Sequence, residues 1–412
     1  MNKNLRNKRK ILNDPVYGFI NIPDDIIFDL IEHRYFQRLR RILQLGLTNL
    51  VYPGALHTRF HHALGAMHLM GEAVNAIRSK GHRISTEEAL AANIAILLHD
   101  IGHGPYSHTL EHSLVHGITH EDISETFMGL LNREFNNELE LAISIFNNTY
   151  KKGFLHQLVS GQLDTDRLDY LRRDSFFTGV SEGVISTDRL IKMLNVNDDE
   201  LVIEEKGVYS AERFITARRL MYWQVYFHKT VISAESLLLK ILQRAKYLTL
   251  QGEILFASPS LQVFLKNNIT KEEFTRNLEY VEHFSELDDF DILAAIKVWQ
   301  KHHDFILSEL SKRLVNRQLF RVEILRAPVE EAVIAEKKEQ VAKKLNISIA
   351  DADYFAFSGE IANNAYTPGK DRIGVLMKSG EVLDITEASD QIGLELMAKT
   401  IRKFYYCYPK EG

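Results

Sequence analysis

The sequence predicts a mainly α-helical protein with a smaller α+β lobe at its C-terminal end, and three observations support this prediction. Long segments of the first 250 residues repeat apolar side chains at the spacing of an amphipathic helix. Beyond them, short segments such as FRVEIL are rich in β-formers. A hairpin turn is predicted at Lys378–Glu381. We therefore expect a helical domain over residues 1–250 and a helical and α+β lobe over residues 251–412.

The individual elements follow from the same patterns. Pro23 and Asp24 supply a start signal for the first helix. The predicted helices cover residues 26–44, 60–80, 86–99, 120–134, 163–173 and 210–246, with further helices over 258–315. The predicted strands lie in FRVEIL, DYFAFSGEI and IGVLMKSGEVLDIT.

The composition is that of a globular protein, with 45% hydrophobic and 25% charged residues among 412. A net charge of -5 argues against a protein that coats nucleic acid by bulk electrostatics. No apolar run approaches the ~18 residues of a membrane-spanning helix, and the basic first residues lack the apolar stretch of a secretory signal. The single cysteine, Cys407, excludes an internal disulfide and a cysteine-built metal site. We expect a cytoplasmic protein without a membrane partner.

Histidines are concentrated in one part of the chain, because eleven of the seventeen lie between residues 57 and 120. The apolar segment ALAANIAILLHD ends in His99 and Asp100, and glycines and a proline break the helix directly afterwards. The helix dipole disfavours an unpaired carboxylate at this end, and a bound cation would remove that penalty. Imidazole and carboxylate together suit a divalent metal with open, water-filled positions.

Two ligands are too few for such a metal, so we expect others from elsewhere in the chain. HTRFHHALGAMH offers His57, His61, His62 and His68, and DTDRLDYLRRD offers Asp164, Asp166, Asp169 and Asp174. In the second segment Asp166, Tyr170 and Asp174 lie four residues apart on one helix face and would project into one cleft. An isolated His-Asp pair is more often structural, but the conjunction of these segments favours a metal site.

Seven segments of the chain, taken in order, are NDPVYGFI, FQRLRRILQLG, VYPGALHTRFHHALG, LLHDIGHGPYSHTLEH, THED, DTDRLDYLRRDSFFTG and VYFHK. Together they resemble the His-Asp (HD) domain phosphohydrolases, and among them the deoxynucleoside triphosphate triphosphohydrolases. The resemblance spans nearly the whole chain and implies an HD-domain helical core. It implies hydrolysis of a dNTP, with dGTP as the first expectation, to a deoxynucleoside and inorganic triphosphate.

The resemblance also implies one divalent ion, such as Mn, Mg or Fe, among which the sequence does not choose. Its implied ligands are His62, His99, Asp100 and Asp166.

The implied catalytic acid is His120, with Glu111 to orient or charge it, although the family usually has aspartate at the position of Glu111. His103 and His108 match histidines that face the phosphates. An alternative role for His103, His108 and His120 is a second metal site.

Substrate-binding residues are implied on several segments. Arg59 and Arg167 resemble phosphate clamps and Arg218 a third phosphate contact, while Gln44 and Asp174 would contact the 3′-hydroxyl. Tyr170 would pack beside C2′ and exclude ribonucleotides by shape. Leu45 and Tyr222 complete the implied set.

Many members of this family are oligomers that a nucleotide bound between subunits activates, so the resemblance implies a homo-oligomer with a dNTP activator. The positions that match activator contacts are Lys10, Asn13, Glu32, Gln37, Arg40, Lys206, His228, Lys229, Arg317 and Arg321. Asn195 and Glu387 stand where basic residues are expected, so the activator differs in base or number or is absent.

Two other functions remain open at this point. One is an HD-type nucleotidase or phosphodiesterase that acts on a nucleoside monophosphate or a cyclic nucleotide. The other is a nucleotide- or nucleic-acid-binding regulator with a structural metal, although nothing in the sequence indicates single-stranded nucleic acid. Release of inorganic triphosphate from dGTP separates the leading hypothesis from both.

Overall fold

The computed structural model describes residues 10–369, 372–390 and 399–410. Within them the chain is mainly helical with four small β-sheets, so the predicted fold class is confirmed. None of the described helices combines the length and apolar character needed to cross a bilayer. The side chains at positions 108, 111 and 112 lie outside the described part of the chain.

An antiparallel hairpin precedes the helices of the N-terminal half. Its strands are β1 (Ile11–Asp14) and β2 (Gly18–Asn21), and Asp14 lies opposite Gly18. The helices up to residue 178 are α1 (Asp25–Glu32), α2 (Arg34–Gln37), α3 (Arg59–Ser79), α4 (Thr86–Leu98), α5 (Glu111–Leu114), α6 (His120–Glu134), α7 (Glu140–Phe146), α8 (Gly153–Val159) and α9 (Thr165–Thr178).

Helices also form most of the remaining chain. They are α10 (Thr187–Met193), α11 (Val208–Met221), α12 (Lys229–Leu250), α13 (Pro259–Lys266), α14 (Lys271–Arg276), α15 (Leu278–Glu286), α16 (Asp289–Trp299), α17 (Phe305–Val315), α18 (Glu331–Leu345), α19 (Ile349–Ala352) and α20 (Ile385–Ala388). Short 3-10 turns occupy Arg38–Arg41, Gly46–Leu50, Ser107–Thr109, Ser181–Gly183 and Glu205–Gly207.

The later strands form small sheets between the helices. They are β3 (Val115–His116), β4 (Leu194–Asn197), β5 (Glu200–Glu204), β6 (Ile269–Thr270), β7 (Arg321–Leu325), β8 (Phe357–Asn363), β9 (Gly374–Leu376), β10 (Val382–Asp384) and β11 (Ile401–Tyr408). The sheet orders are β10-β9-β5-β4, β7-β11-β8 and a parallel β3-β6 pair. Strand β5 precedes residue 250 and β9 follows it, and the two strands pair in parallel. The division of the chain into two domains at residue 250 stays a prediction.

The predicted helix over residues 26–44 is wrong as one continuous element. The chain leaves the helical conformation at His33, where φ is -66° and ψ is 141°, and the His33 ring accepts a hydrogen bond from the Tyr35 amide. A 3-10 turn at Arg38–Arg41 follows α2, and Leu43 then pairs with Thr58 in an isolated bridge. Histidine capping therefore overrides the apolar periodicity here.

The predicted helix over residues 210–246 is also interrupted. Helix α11 passes into a π-helical turn at Tyr222–Tyr226, and α12 starts afresh after His228. The His228 side chain caps α12 by accepting from the Thr230 amide, as His33 does for α2. Two smaller predictions shift as well, because α9 begins at Thr165 and β8 begins only at Phe357.

Three buried helices meet at the centre of the N-terminal half, because α3 packs against both α4 and α9. Helix α4 begins with a capping box between Ser85 and Glu88 and buries every residue of its last two turns. A helix that is apolar on all sides belongs in the interior of a protein. The first turn of α3, the C-terminal end of α4 and the first turn of α9 therefore lie close together inside the molecule.

Candidate active site

A cluster of potential metal ligands lies where α3, α4 and α9 meet. His62 comes from the first turn of α3, His99 is the C-terminal cap of α4, and Asp166 lies in the first turn of α9. The Asp166 Oδ1 atom is 3.0 Å from His62 Nε2 and 3.5 Å from His99 Nε2. All three donor atoms lie within 4.8 Å of one another.

The two imidazoles direct their Nε2 atoms into this cluster. His99 Nδ1 donates to the Ile96 carbonyl at 2.6 Å, and His62 Nδ1 donates to the Asp169 carboxylate at 2.8 Å. A neutral ring that donates through Nδ1 has a lone pair on Nε2. Both Nε2 atoms are buried without a hydrogen-bond partner, and a metal ion would satisfy them together.

The charge balance of the cluster also favours a cation. Burial lowers the pKa of His62, but the carboxylates of Asp166 and Asp169 outweigh burial and raise this pKa to about 10. A site that holds a proton this tightly has the negative potential that attracts a metal, and metal binding displaces such protons. Two imidazole nitrogens and a carboxylate oxygen at this spacing therefore fit a divalent ion.

Asp100 lies between this cluster and a second one. Its carboxylate is 3.3 Å from His99 Nε2, 3.7 Å from His62 Nε2 and 3.4 Å from His103 Nε2, and Arg59 donates to it. Burial raises the pKa of Asp100, but His99, Arg59 and His103 outweigh burial and hold it well below its usual range. The carboxylate is therefore ionised and lies within reach of both clusters.

The second cluster comprises Asp100, His103 and His120, whose donor atoms also lie within 4.8 Å of one another. The rings of His103 and His120 stack with their centres 3.9 Å apart. Helix α6 reaches this position because its first turn packs directly on the backbone of Gly102, where any side chain would collide. Burial and the Arg59 charge lower the pKa of His103 well below its usual range, so this ring is neutral.

The turn that follows His103 is held in an unusual conformation. Tyr106 and Ser107 have φ values of 50° and 48°, which non-glycine residues seldom adopt. Asp289 of α16 accepts from the Tyr106 amide at 2.7 Å and from the Leu43 amide at 2.8 Å. The Ser107 hydroxyl accepts from Arg59 Nε at 2.7 Å. The predicted residues His108 and Glu111 follow this turn, but their side chains lie outside the described part of the chain.

A cavity of about 550 Å³ opens beside both clusters. It is lined by Asp166, His103 and His120 and by every residue that the resemblance implied for substrate binding: Arg59, Gln44, Leu45, Arg167, Tyr170, Asp174, Arg218 and Tyr222. Cations and metal-binding groups therefore share one cavity with aromatic rings.

Of the other histidines and aspartates of the two ligand-rich segments, Asp169 contacts the cluster of potential metal ligands through His62 Nδ1, and the others lie outside it. His61 takes part in the capping box with Thr58, the His68 ring packs against Tyr17, and His57 contacts Asp174 at 2.7 Å. Asp164 caps α9 and pairs with Arg167, and burial raises its pKa to about 6.

Asp174 is fully engaged at the far side of the cavity. Its Oδ1 atom contacts His57 Nε2, and its Oδ2 atom accepts from the Tyr226 hydroxyl, both at 2.7 Å. The Tyr226 ring lies edge-on to Tyr222 and Tyr170, at centre distances of 5.0 and 6.4 Å. A substrate hydroxyl in this region would meet an organised network rather than a lone carboxylate.

Sequence reasoning missed Glu235, which lies on α12 and lines the same cavity. Burial raises the pKa of Glu235 to about 7, although a hydrogen bond from Thr109 opposes this shift. A side chain at Gly46 would lie 4.0 Å from the Glu235 carboxylate. Glu235 therefore lies close to the segment that contains Leu45, the residue before Gly46. The sequence feature that could have indicated Glu235 is its position as one acidic residue among the apolar positions of ISAESLLLK.

The ten residues that match activator contacts are spread over several elements. Lys10 lies over the Phe28 ring at 4.5 Å, Arg40 donates to Gln37 at 2.8 Å, and Arg317 donates to the Leu50 carbonyl at 2.9 Å. The others are Asn13, Glu32 and Lys229, which are exposed, Lys206 and Arg321, which pair with nearby glutamates, and His228, which caps α12. The activator site stays a prediction.

Comparisons with known proteins agree with this arrangement. The family model described as "HD associated region" matches residues 185–254. A crystal structure of a phosphohydrolase from Bacteroides thetaiotaomicron superposes with a TM-score of 0.94 at 53% identity, over 98% of this chain and 100% of that chain.

Two curated relatives extend the comparison. The uncharacterized protein YwfO of Bacillus subtilis is 34% identical over 98% of this chain and 93% of its own length. The deoxynucleoside triphosphate triphosphohydrolase SAMHD1 homolog of Dictyostelium discoideum is 32% identical over 56% of this chain, which spans about half (48%) of that relative. The ligand cluster and these similarities together show that the chain belongs to the HD-domain phosphohydrolases.

Proposed function

We propose that the protein hydrolyses deoxynucleoside triphosphates, with dGTP as the preferred substrate, to a deoxynucleoside and inorganic triphosphate. One observation carries this proposal: a single cavity joins the metal cluster, three arginines and a wall of tyrosines. The similarity to SAMHD1-type triphosphohydrolases supports the same reaction. We also propose that the protein is located in the cytoplasm.

The phosphate end of the cavity has the groups that such a reaction needs. A divalent ion held by His62, His99, Asp100 and Asp166 would supply the positive charge that polarises a phosphate oxygen and activates water. In the proposed reaction, water attacks the α-phosphorus and the bond from that phosphorus to O5′ breaks. Arg59, Arg167 and Arg218 neutralise the phosphate oxygens.

The leaving O5′ atom needs a proton when its bond to phosphorus breaks. We assign this proton to His120, whose ring faces the cavity and stacks on the neutral ring of His103. A positioned general acid of this kind contributes typically 100- to 10,000-fold to the rate. Glu111 and His108 retain their proposed roles in orienting His120 and contacting phosphate.

The sugar and the base would occupy the other end of the cavity. Tyr170 would pack beside C2′ and exclude a ribose hydroxyl, while Gln44 and the Asp174–Tyr226 pair would bind the 3′-hydroxyl. Glu235 lies close to Gly46, two residues after Gln44 in the chain. An ionised carboxylate accepts two hydrogen bonds, which matches the adjacent N1–H and N2–H groups of guanine.

Nucleotide activation of a homo-oligomer is part of the proposal. The positions that resemble activator contacts support it, including Asn13 on the first strand of the N-terminal hairpin and Lys10 directly before that strand. Assays of each dNTP alone and in pairs test it, since stimulation of one dNTP by another would reveal an activator. Rates that simply add in every pair would contradict activation.

The reaction itself is tested by product analysis in ¹⁸O-labelled water. Incubation with dGTP and Mn²⁺ should release deoxyguanosine and inorganic triphosphate, and the label should appear in the triphosphate. Release of phosphate or pyrophosphate, or turnover of deoxynucleoside monophosphates or cyclic nucleotides alone, would contradict the proposal.

A further inference from the structure

A line of four charged or polar side chains connects the N-terminal hairpin to a metal ligand. Asp14, the last residue of β1, accepts from Arg173 NH1 at 2.8 Å. Arg173 also donates through Nε and NH2 to both oxygens of Asp169, each at 2.9 Å. Asp169 in turn accepts from His62 Nδ1 at 2.8 Å.

The whole line is buried. Arg173, Asp169 and His62 are 0% exposed and Asp14 is 7% exposed. Removing charged groups from water costs several kcal/mol per ion, and apolar replacements of buried ion pairs are often as stable. Stability alone is therefore a poor explanation for this arrangement.

The fold also makes room for the line. A side chain at Gly65 on α3 would collide with Asp169 and Arg173, so the pair lies directly against the helix that carries His62. Arg173 donates to both Asp169 oxygens, and His62 Nδ1 donates to one of them, so Asp169 links the arginine directly to the metal-binding ring.

We propose that Asp14 is a positioning residue that sets the metal affinity of His62 through Arg173 and Asp169. Because Arg173 divides its charge between two carboxylates, Asp169 keeps enough negative charge to orient His62 and make its Nε2 atom a strong ligand. Without the Asp14 charge, Arg173 pairs with Asp169 alone and draws more of its negative charge. Asp169 then accepts less strongly from His62 Nδ1, which makes His62 a weaker ligand for a cation.

This inference rests on the metal-binding part of the proposed function and not on the identity of the substrate. The direct test is calorimetric titration of the full-length protein with Mn²⁺. The substitution Asp14→Asn removes the charge, while its remaining oxygen still accepts from the Val16 and Tyr17 amides. We expect Mn²⁺ affinity to fall roughly 10-fold, the lower limit for partners of metal-ligating histidines.

A matched control separates this effect from a general loss of stability. Asp304 also accepts from a backbone amide, that of Leu307, and pairs with an arginine, Arg244. Asp304→Asn should lower the unfolding temperature and leave Mn²⁺ affinity unchanged. If Asp14→Asn fails to fold, Asp14→Ser provides the same loss of charge with a hydroxyl that still accepts from the turn.

A double-mutant cycle tests the route through Asp169. In an Asp169→Asn background, Asp14→Asn should have almost no further effect on Mn²⁺ affinity. Unchanged affinity in Asp14→Asn, or equal losses in both backgrounds, would overturn the inference. A wild-type protein that binds Mn²⁺ but hydrolyses no dNTP would contradict the proposed function, and the cycle would still decide on Asp14.

Discussion

The two ends of the cavity are lined by different kinds of side chains. The metal end contains the ligand cluster and the second cluster, where buried carboxylates, imidazoles and Arg59 contact one another. The nucleoside end contains the rings of Tyr170, Tyr222 and Tyr226 and two carboxylates, Asp174 and Glu235. Among the described residues, no arginine or lysine forms an ion pair with Glu235. Dense charge is suited to chemistry on phosphate, whereas rings and a few acceptors are suited to selection among nucleosides.

The largest expected effect comes from removing one ligand at the metal end. His62→Ala should lower Mn²⁺ binding below detection and reduce hydrolysis to background, because the remaining imidazole and carboxylates cannot replace a buried ligand. Mn²⁺ titration and product release check both effects.

The neighbouring residue offers a matched control for this substitution. His61 contacts Thr58 in the capping box and does not reach the cluster. His61→Ala should cost about 1 kcal/mol of stability from the lost cap while retaining Mn²⁺ affinity. Equal loss of metal in both variants would mean that His62 is not a specific ligand.

The second effect separates chemistry from metal binding within the same end. His120→Ala should slow dNTP turnover by about 100- to 10,000-fold, because the leaving oxygen no longer receives a proton, with little change in Mn²⁺ or dNTP affinity. Single-turnover rates and equilibrium binding measure the two properties separately. Normal turnover would remove His120 from the role of acid.

At the nucleoside end, changes should alter selectivity rather than chemistry. Tyr170→Ala opens space beside C2′, so discrimination against ribonucleotides should fall by about 10- to 100-fold. The measurement is the ratio of kcat/KM for dGTP and GTP. Tyr170→Phe keeps the ring and should keep this ratio; a loss in both variants would contradict exclusion by shape.

A smaller effect is expected for the choice of base. Glu235→Gln replaces one acceptor with a donor, so preference should move from dGTP towards dATP or dCTP by about 10-fold in kcat/KM, within the range for one paired base contact. Assays at pH 8 keep the wild-type carboxyl mostly ionised, because burial raises its pKa to about 7. Glu138→Gln, at an exposed position, is the control. An unchanged order of the four dNTPs would remove Glu235 from base selection.

The smallest effect is expected where one residue supports both ends. Asp289 accepts hydrogen bonds from two backbone amides. One belongs to Leu43, which precedes Gln44, and the other to Tyr106, which follows His103 by three residues. Asp289→Asn leaves one buried amide without an acceptor, so the free energy of unfolding should fall by about 1–3 kcal/mol. Turnover should fall a few-fold while Mn²⁺ affinity stays constant. Reduced Mn²⁺ affinity in thermal and calorimetric titrations would show that the two ends are not separable.

Much of the fold could be predicted from the sequence, because long amphipathic segments report helices reliably. The interruptions could not, since His33 and His228 end apolar periodicity by capping the next helix, and histidine is not a usual cap. The pairing of β5 with β9 could not be predicted either, because Val202 pairs with Gly374, and a contact over such a distance in the sequence leaves no local pattern.

The site shows the same division. The ligand-rich segments marked His62, His99, Asp100 and Asp166 as candidates, and the resemblance selected among them. The supports of these residues were not visible, because Asp289 and Arg173 act through tertiary contacts that sequence spacing does not encode. Glu235 was not predicted, because a single acidic residue in an apolar helix does not by itself indicate a functional site.

The most direct test of the account is anomalous diffraction at the manganese edge from crystals grown with Mn²⁺ and dGTP, using His120→Ala to slow turnover. We predict a strong peak about 2.0–2.2 Å from His62 Nε2, His99 Nε2 and a carboxylate oxygen of Asp166, with the triphosphate beside it. A peak elsewhere, or none at this cluster at saturating Mn²⁺, would contradict the account.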